Sequence, residues 1–247
     1  MDIYYRKEER VKGYTIKDIL GEGRYGIAYL AIDKDGNKVV IKQLKNNMLQ
    51  KTRSKLYYER KILRNLDMPN FPKFIGKFKD KYRECYVMEY IDGKTFFELL
   101  SKDRYEFSKE EIYEVCEAIL DLLEILHSKN IVHRDIRTPN VIVRNNNEIA
   151  LIDFGLARYI DNDQYDETID YWYLGDFLIH LYYSSFEPLE DQEEKPWYDE
   201  LDLNSEERHF LMKLMGIEDE YESLDEIRDQ LEVLKRINKG RFDFKIW

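Results

Sequence analysis

Cysteine is scarce: Cys85 and Cys116 are the two in 247 residues. Neither their number nor their spacing fits a disulfide framework or a sulfur-ligated metal site, which leaves a reducing compartment as the simplest setting. No segment approaches the ~18 uninterrupted apolar residues of a membrane span, and Met1 to Arg10 are charged where a secretory leader is apolar. The sequence therefore predicts a soluble, cytoplasmic chain with no membrane partner. Cationic excess is lacking as well. A formal net charge of −11 argues against nucleic acid as a partner, because phosphate backbones are bound by clustered Lys and Arg. Internal repeats and low-complexity tracts are absent, which excludes solenoid arrays.

What is present is 43% hydrophobic and 36% charged, enough for one large domain or two small lobes with a real core. The first third reads as strands over 15–20, 27–32 and 39–41, with a hairpin turn at Asp35, Gly36 and Asn37. One helix interrupts them over about 55–66, where Leu56, Ile62, Leu63 and Leu66 fall at helical spacing before the breaker Pro69 to Pro72. Strand-like runs follow over 74–78 and 85–91. After Asp92 and Gly93 the pattern turns helical. Ser108 with Glu111 forms a capping-box pattern, and Ile112, Val115, Ile119, Leu122, Leu123 and Leu126 line one helical face. Short strands are predicted over 131–132, 141–143 and 149–152, and capped helix starts at Ser205 and Ser223.

Gly21, Gly23 and Gly26 lie between two strand patterns, where glycine lets backbone approach a phosphate. A dinucleotide fold would demand a helix next, whereas Ile27 to Ile32 reads as a strand, so a phosphate-covering flap is favoured over that alternative. Lys42 ends the apolar strand that follows and can aim its ammonium at phosphates. Glu59 on the predicted helix is a candidate to hold it. Further on, His133-Arg134-Asp135 with Asn140, and Asp153-Phe154-Gly155, are each flanked by short strands.

In that order these four elements resemble the protein kinase family: a Gly-rich loop, a strand lysine, an H-R-D-x-x-x-x-N catalytic loop and a D-F-G triplet. The resemblance runs from about Tyr14 to Leu234. It implies an α+β, two-lobed fold: an N-lobe over 1–91 with an antiparallel sheet plus one helix, binding nucleotide, and a mainly helical C-lobe over 92–247. It implies ATP and magnesium as cofactors. Asp135 would be the base toward the acceptor hydroxyl, Asn140 and Asp153 would hold metal, and Lys42 with Glu59 would hold phosphates. Arg137 would neutralise the transferring phosphoryl group. Met88, Glu89 and Ile91 would border the adenine, with Ala28 and Val40 covering it. His133 and Arg134 would be structural, the arginine bonding loop carbonyls.

The sequence also departs from the family. Asp170, which the resemblance makes the buttress of the catalytic loop, follows Asp153 by 17 positions, roughly half the usual interval, and no A-P-E motif lies between. The arginine that ordinarily pairs with the A-P-E glutamate is missing from 216–224 too. Tyr159, Tyr165 and Thr168 are the phosphorylatable groups in the short interval, and activity without phosphorylation there is expected. The acidic stretch 187–200 reads as a solvated loop, and 241–247 as a segment that packs on the core or meets a partner. A protein kinase acting on serine or threonine is the leading reading. A small-molecule phosphotransferase or a nucleotide-binding docking protein are the alternatives.

Overall fold

Alternation of period two builds the first sheet. The computed structural model describes residues 3–23, 26–45, 58–80, 83–161, 163–187 and 195–242. Strands β1 (Arg10–Val11), β2 (Tyr14–Glu22), β3 (Gly26–Ile32), β4 (Lys38–Leu44), β5 (Phe74–Lys79) and β6 (Glu84–Glu89) form a six-stranded antiparallel sheet in the order β1-β2-β3-β4-β6-β5. In β3, Ile27, Tyr29 and Ala31 are buried while the residues between them are half-buried. Val39 and Ile41 of β4 and Cys85 and Val87 of β6 join them, so one face of the sheet closes on its own core.

Residues ahead of β2 complete that core. The Tyr5 ring packs edge-on against Tyr29 and carries the Arg83 guanidinium 3.5 Å above it. Its hydroxyl donates to Asp80 at 2.9 Å. The sequence pattern gave no hint of this role for a charged N-terminal stretch. The β3–β4 turn is held by Asp33, whose Oδ1 accepts N–H groups of Asp35 and Asn37, with Gly36 at φ +90°. Helix α1, described over 58–65, buries Glu59, Ile62 and Leu63. Leu56 and the predicted first turn of this helix lie outside the described residues.

The contacts divide the chain into two units, Met1–Asp92 with Phe154–Leu156, and Gly93–Asp153 with Ala157–Trp247. In the second unit, β7 (Lys94–Thr95) leads into α2 (Phe96–Ser101) and α3 (Lys109–His127). The capping box at Ser108 is formed as expected: Glu111 N–H donates to its Oγ, and Ser108 N–H to the Glu111 carboxylate. Strands β8 (Ile131–Val132), β9 (Val141–Val143), β10 (Ile149–Leu151) and β11 (Arg158–Tyr159) pair as β10-β9-β7 and β11-β8. The remainder is helical: α4 (Thr168–Tyr182), α5 (Trp197–Glu200), α6 (Ser205–Leu214) and α7 (Leu224–Phe242). No helix among the described residues is long and apolar enough to cross a membrane.

Two expectations are corrected here. Helix α6 is capped by Asn204, not Ser205, because Asn204 Oδ1 takes the Glu207 N–H and Glu207 returns the bond. The acidic stretch is not wholly loop: Trp197–Glu200 is helical, and Glu200 accepts the Tyr183 hydroxyl at 2.6 Å. Residues 188–194 and 243–247 lie outside the described residues, while α7 carries the backbone through Phe242. Cys85 and Cys116 are free and buried.

Glu207 ties the helices together. It is fully buried, yet its carboxylate receives the Tyr113 hydroxyl at 2.5 Å, the Lys109 ammonium at 2.7 Å and the Asn204 backbone N–H at 2.8 Å. Asn238 of α7 in turn donates to Tyr113 Oη. Removing the acceptor strands three donors, of which the Lys109 side chain is 31% exposed and can be partly rehydrated. Glu207→Ala is therefore expected to destabilise the fold by about 2–4 kcal/mol, read as a lower urea midpoint at unchanged slope.

Candidate active site

The register of the first sheet places the predicted nucleotide-binding residues on the face opposite the closed core. Gly21, Ala28, Lys42 and Tyr86 stand opposite one another in one row across β2, β3, β4 and β6. Leu30, Val40 and Met88 form the next row. Directly opposed residues share a face. Lys42 Nζ donates to Glu59 Oε1 at 2.9 Å, with the lysine side chain 19% exposed and the glutamate 3%. Tyr86 donates to the other carboxylate oxygen. Glu59 thus holds the ammonium while Tyr86 holds Glu59, a second support that the sequence reading missed although Tyr86 alternates with Met88.

The glycines divide by role. A Cβ on Gly26 would lie 2.5 Å from the Gln43 carbonyl oxygen, so packing alone forbids a side chain there. A Cβ on Gly21 or Gly23 would meet nothing within 4 Å among the described residues, and the Gly23 N–H donates to the Gly26 carbonyl at 3.0 Å. At the far end of β6, the Glu89 N–H is engaged by the Lys73 carbonyl at 2.9 Å, which removes it from the groups open to a base edge. Ile91 is buried at the end of this unit.

In the second unit the catalytic-loop candidates converge. Asn140 Nδ2 donates to the Asp135 carbonyl at 2.9 Å and to its Oδ2 at 2.7 Å. Arg137 Nε lies 3.1 Å from Asp135 Oδ1, its side chain 58% exposed. Burial pushes the Asp135 carboxyl above its ordinary range, against the opposing pull of Arg137, while the Asp153 charge pushes it further up. Ile152 N–H donates to the Asn140 carbonyl and so ties the end of β10 to this loop, one residue before Asp153. Asp153 and Arg134 both adopt the left-handed region, at φ +63° and +64°, an arrangement that costs on the order of 1–3 kcal/mol where nothing local demands it.

Below the loop lies Asp170, in the first turn of α4 and fully buried. Its Oδ2 accepts the His133 N–H at 2.9 Å and the His127 Nε2 at 3.0 Å, and its Oδ1 the Arg134 N–H at 2.7 Å. His133 is buried completely, and burial holds its imidazole below its usual range. The Arg134 guanidinium sits 4.3 Å from the centroid of the Tyr165 ring.

Similarity to known proteins decides the family. The protein kinase domain model matches residues 14–199. This chain belongs to the protein kinase family. The kinase is 34% identical over 226 residues to "Probable serine/threonine-protein kinase YbdM" of Bacillus subtilis, covering 88% of each chain. It is also 30% identical to an Aurora kinase of Dictyostelium discoideum, covering 77% of this chain and 55% of that protein. Its match to the mouse tyrosine-protein kinase Fer is 30% identical, over 62% of this chain and 19% of that protein. The expected α+β fold, with one antiparallel sheet plus helix and one mainly helical part, is the fold of this family.

Whether the kinase's residues suit a divalent cation can be judged from the donor set. Asn140 spends its N–H groups on Asp135, which leaves its carbonyl oxygen as the atom for a cation. Asp153 adds a carboxylate whose charge is felt at Asp135. Among the described residues no cluster of three His, Cys, Asp or Glu side chains is arranged for a metal. One amide and one carboxylate fit magnesium, which keeps waters and takes further oxygens from phosphates. Asp170→Asn keeps the shape but turns one acceptor into a donor facing a backbone or imidazole N–H. A loss of about 2–3 kcal/mol is expected, seen as a melting temperature lower by about 4–10 °C.

Proposed function

We propose that this kinase transfers the γ-phosphoryl group of MgATP to a serine or threonine hydroxyl of a protein. The observation that carries the reading is the Asp135 carboxylate, held by the Asn140 amide and the Arg137 guanidinium, at the end of a loop fixed by Asp170. Lys42, steadied by Glu59 and Tyr86, would bind phosphate oxygens on the first unit, under the flap of Gly21, Gly23 and Gly26. Ala28, Val40 and Met88 would border the base, with the Glu89 carbonyl and Ile91 N–H at its edge. Asn140 and Asp153 would hold magnesium, which supplies charge neutralisation on the phosphates when bound.

Asp135 would orient the acceptor hydroxyl and take its proton as the oxygen bonds to the γ-phosphorus and the bond to the ADP oxygen breaks. Arg137 would offset the charge on the phosphoryl oxygens. Little covalent work is asked of the protein, and positioning with charge stabilisation dominates. Serine or threonine is favoured by the relative matched over 88% of its length, whereas the tyrosine kinase match covers 19% of that protein. The 17-position interval without A-P-E supports the second reading, a small-molecule acceptor. A reducing, cytoplasmic setting is supported by the two free buried cysteines.

Radiolabelled ATP offered with general protein substrates and with a metabolite panel separates the two readings. Asp135→Asn is expected to lower kcat by about 10²–10⁴-fold with the fold intact, and Asp153→Ala to abolish transfer. Retained transfer in either variant sinks the assignment of roles. Protein carrying no phosphate on Tyr159, Tyr165 or Thr168, as checked by intact mass, is expected to be fully active. Activity that emerges after one of them is phosphorylated contradicts this.

A further inference from the structure

Between β11 and α4 the chain orders itself by its own bonds. Asp161 Oδ1 accepts the N–H groups of Asp163, Gln164 and Tyr165 at 3.2, 2.9 and 2.9 Å, and the Asp161 N–H returns to the Tyr165 carbonyl at 3.0 Å. Those donors hold the Asp161 carboxyl below its ordinary range. Upstream, Ile160 N–H donates to the Asn130 carbonyl at 2.8 Å, and Arg158 and Tyr159 pair with Val132 and Ile131. Downstream, Asp166 accepts both the N–H and the hydroxyl of Thr168, at 3.0 and 2.6 Å. A phosphate on Thr168 would therefore meet a carboxylate. Tyr165 is thereby presented from a closed loop, with its ring against the Arg134 guanidinium at 4.3 Å, well inside the range of a cation–π contact.

Arg134 is the residue before Asp135, and its backbone is left-handed. Anything that holds its side chain helps hold that backbone. In switches ordered by phosphorylation, a new arginine–phosphate pair supplies this tether. We propose that Tyr165 is a positioning residue whose aromatic ring, without a phosphate, docks the activation segment on Arg134 and keeps the catalytic loop in its working geometry. The inference rests on the kinase reading above and gives a physical reason for the activity expected without phosphorylation of the segment.

The test compares Tyr165→Phe, Tyr165→Leu and Tyr165→Ala in the full chain. Two readouts are taken: kcat and ATP KM with a general protein substrate, and amide hydrogen exchange over 158–165. If the ring is the tether, Tyr165→Phe keeps kcat within about twofold, while Leu and Ala lower it by about tenfold with ATP KM nearly unchanged. Exchange is expected to speed up in the Leu and Ala variants and not in Phe. Full activity in Tyr165→Ala overturns the proposal. So does full activity in Tyr165→Leu, which keeps bulk but loses the π face and guards against a misfolded alanine variant. An inactive Tyr165→Phe overturns it too, because the hydroxyl and not the ring would then matter. Wild-type protein that transfers phosphate to no acceptor refutes the kinase reading instead, and the exchange comparison still reads the tether on its own.

Discussion

A carboxylate removed from water is tolerated only when hydrogen bonds replace its hydration, and Asp170 receives three of them. Two come from consecutive backbone N–H groups of the catalytic loop, so the anion fixes peptide planes and not merely side chains. That is what permits Arg134 to remain left-handed, since a strained residue persists only where its surroundings over-determine it. Asp170 is itself in the first turn of α4, where the helix dipole favours negative charge. The order of dependence therefore runs from helix to carboxylate to loop backbone to Asp135. Distances at Asp135 are consequences of that chain.

The first unit solves a different problem with period two. A sheet whose two faces must differ cannot slip by one residue without exchanging them, and Ile27, Tyr29, Ala31, Val39, Ile41, Cys85 and Val87 commit one face to the core. The other face is then left to Ala28, Val40, Lys42, Tyr86 and Met88. The lysine's position is set by the hydrophobic pattern of its neighbours, and Glu59 and Tyr86 only fine-tune where its ammonium rests.

These local regularities are why much was legible in the amino-acid order. Alternation revealed β3 and β4, and Ser108 with Glu111 revealed the start of α3, because both signals lie within a few residues of one another. Two-residue strands such as β1, β7 and β11 carry no period to read. Asn204 outranked Ser205 as the cap of α6 because the reciprocal partner Glu207 stands three residues after Asn204, a spacing that Ser205 lacks. Tyr165 on Arg134 and Arg83 on Tyr5 join residues 31 and 78 positions apart, as 165 − 134 and 83 − 5. Contacts of that kind are fixed by the fold and leave no spacing in the chain.

The shortened interval before Asp170 then has a physical sense. A family member that lost the A-P-E glutamate but kept its arginine would leave a charge without its partner, a cost of several kcal/mol where burial is deep. Here both are absent from the positions that would carry them, and Glu207, a buried acid of the helical unit, is satisfied by Lys109 and Tyr113 of α3. The helices are thus pinned by a node that does not involve the segment between Gly155 and Asp170. Shortening that segment leaves the Glu207 node and the Asp170 bonds to His133 and Arg134 in place, while the Tyr165 ring within it still meets the Arg134 guanidinium.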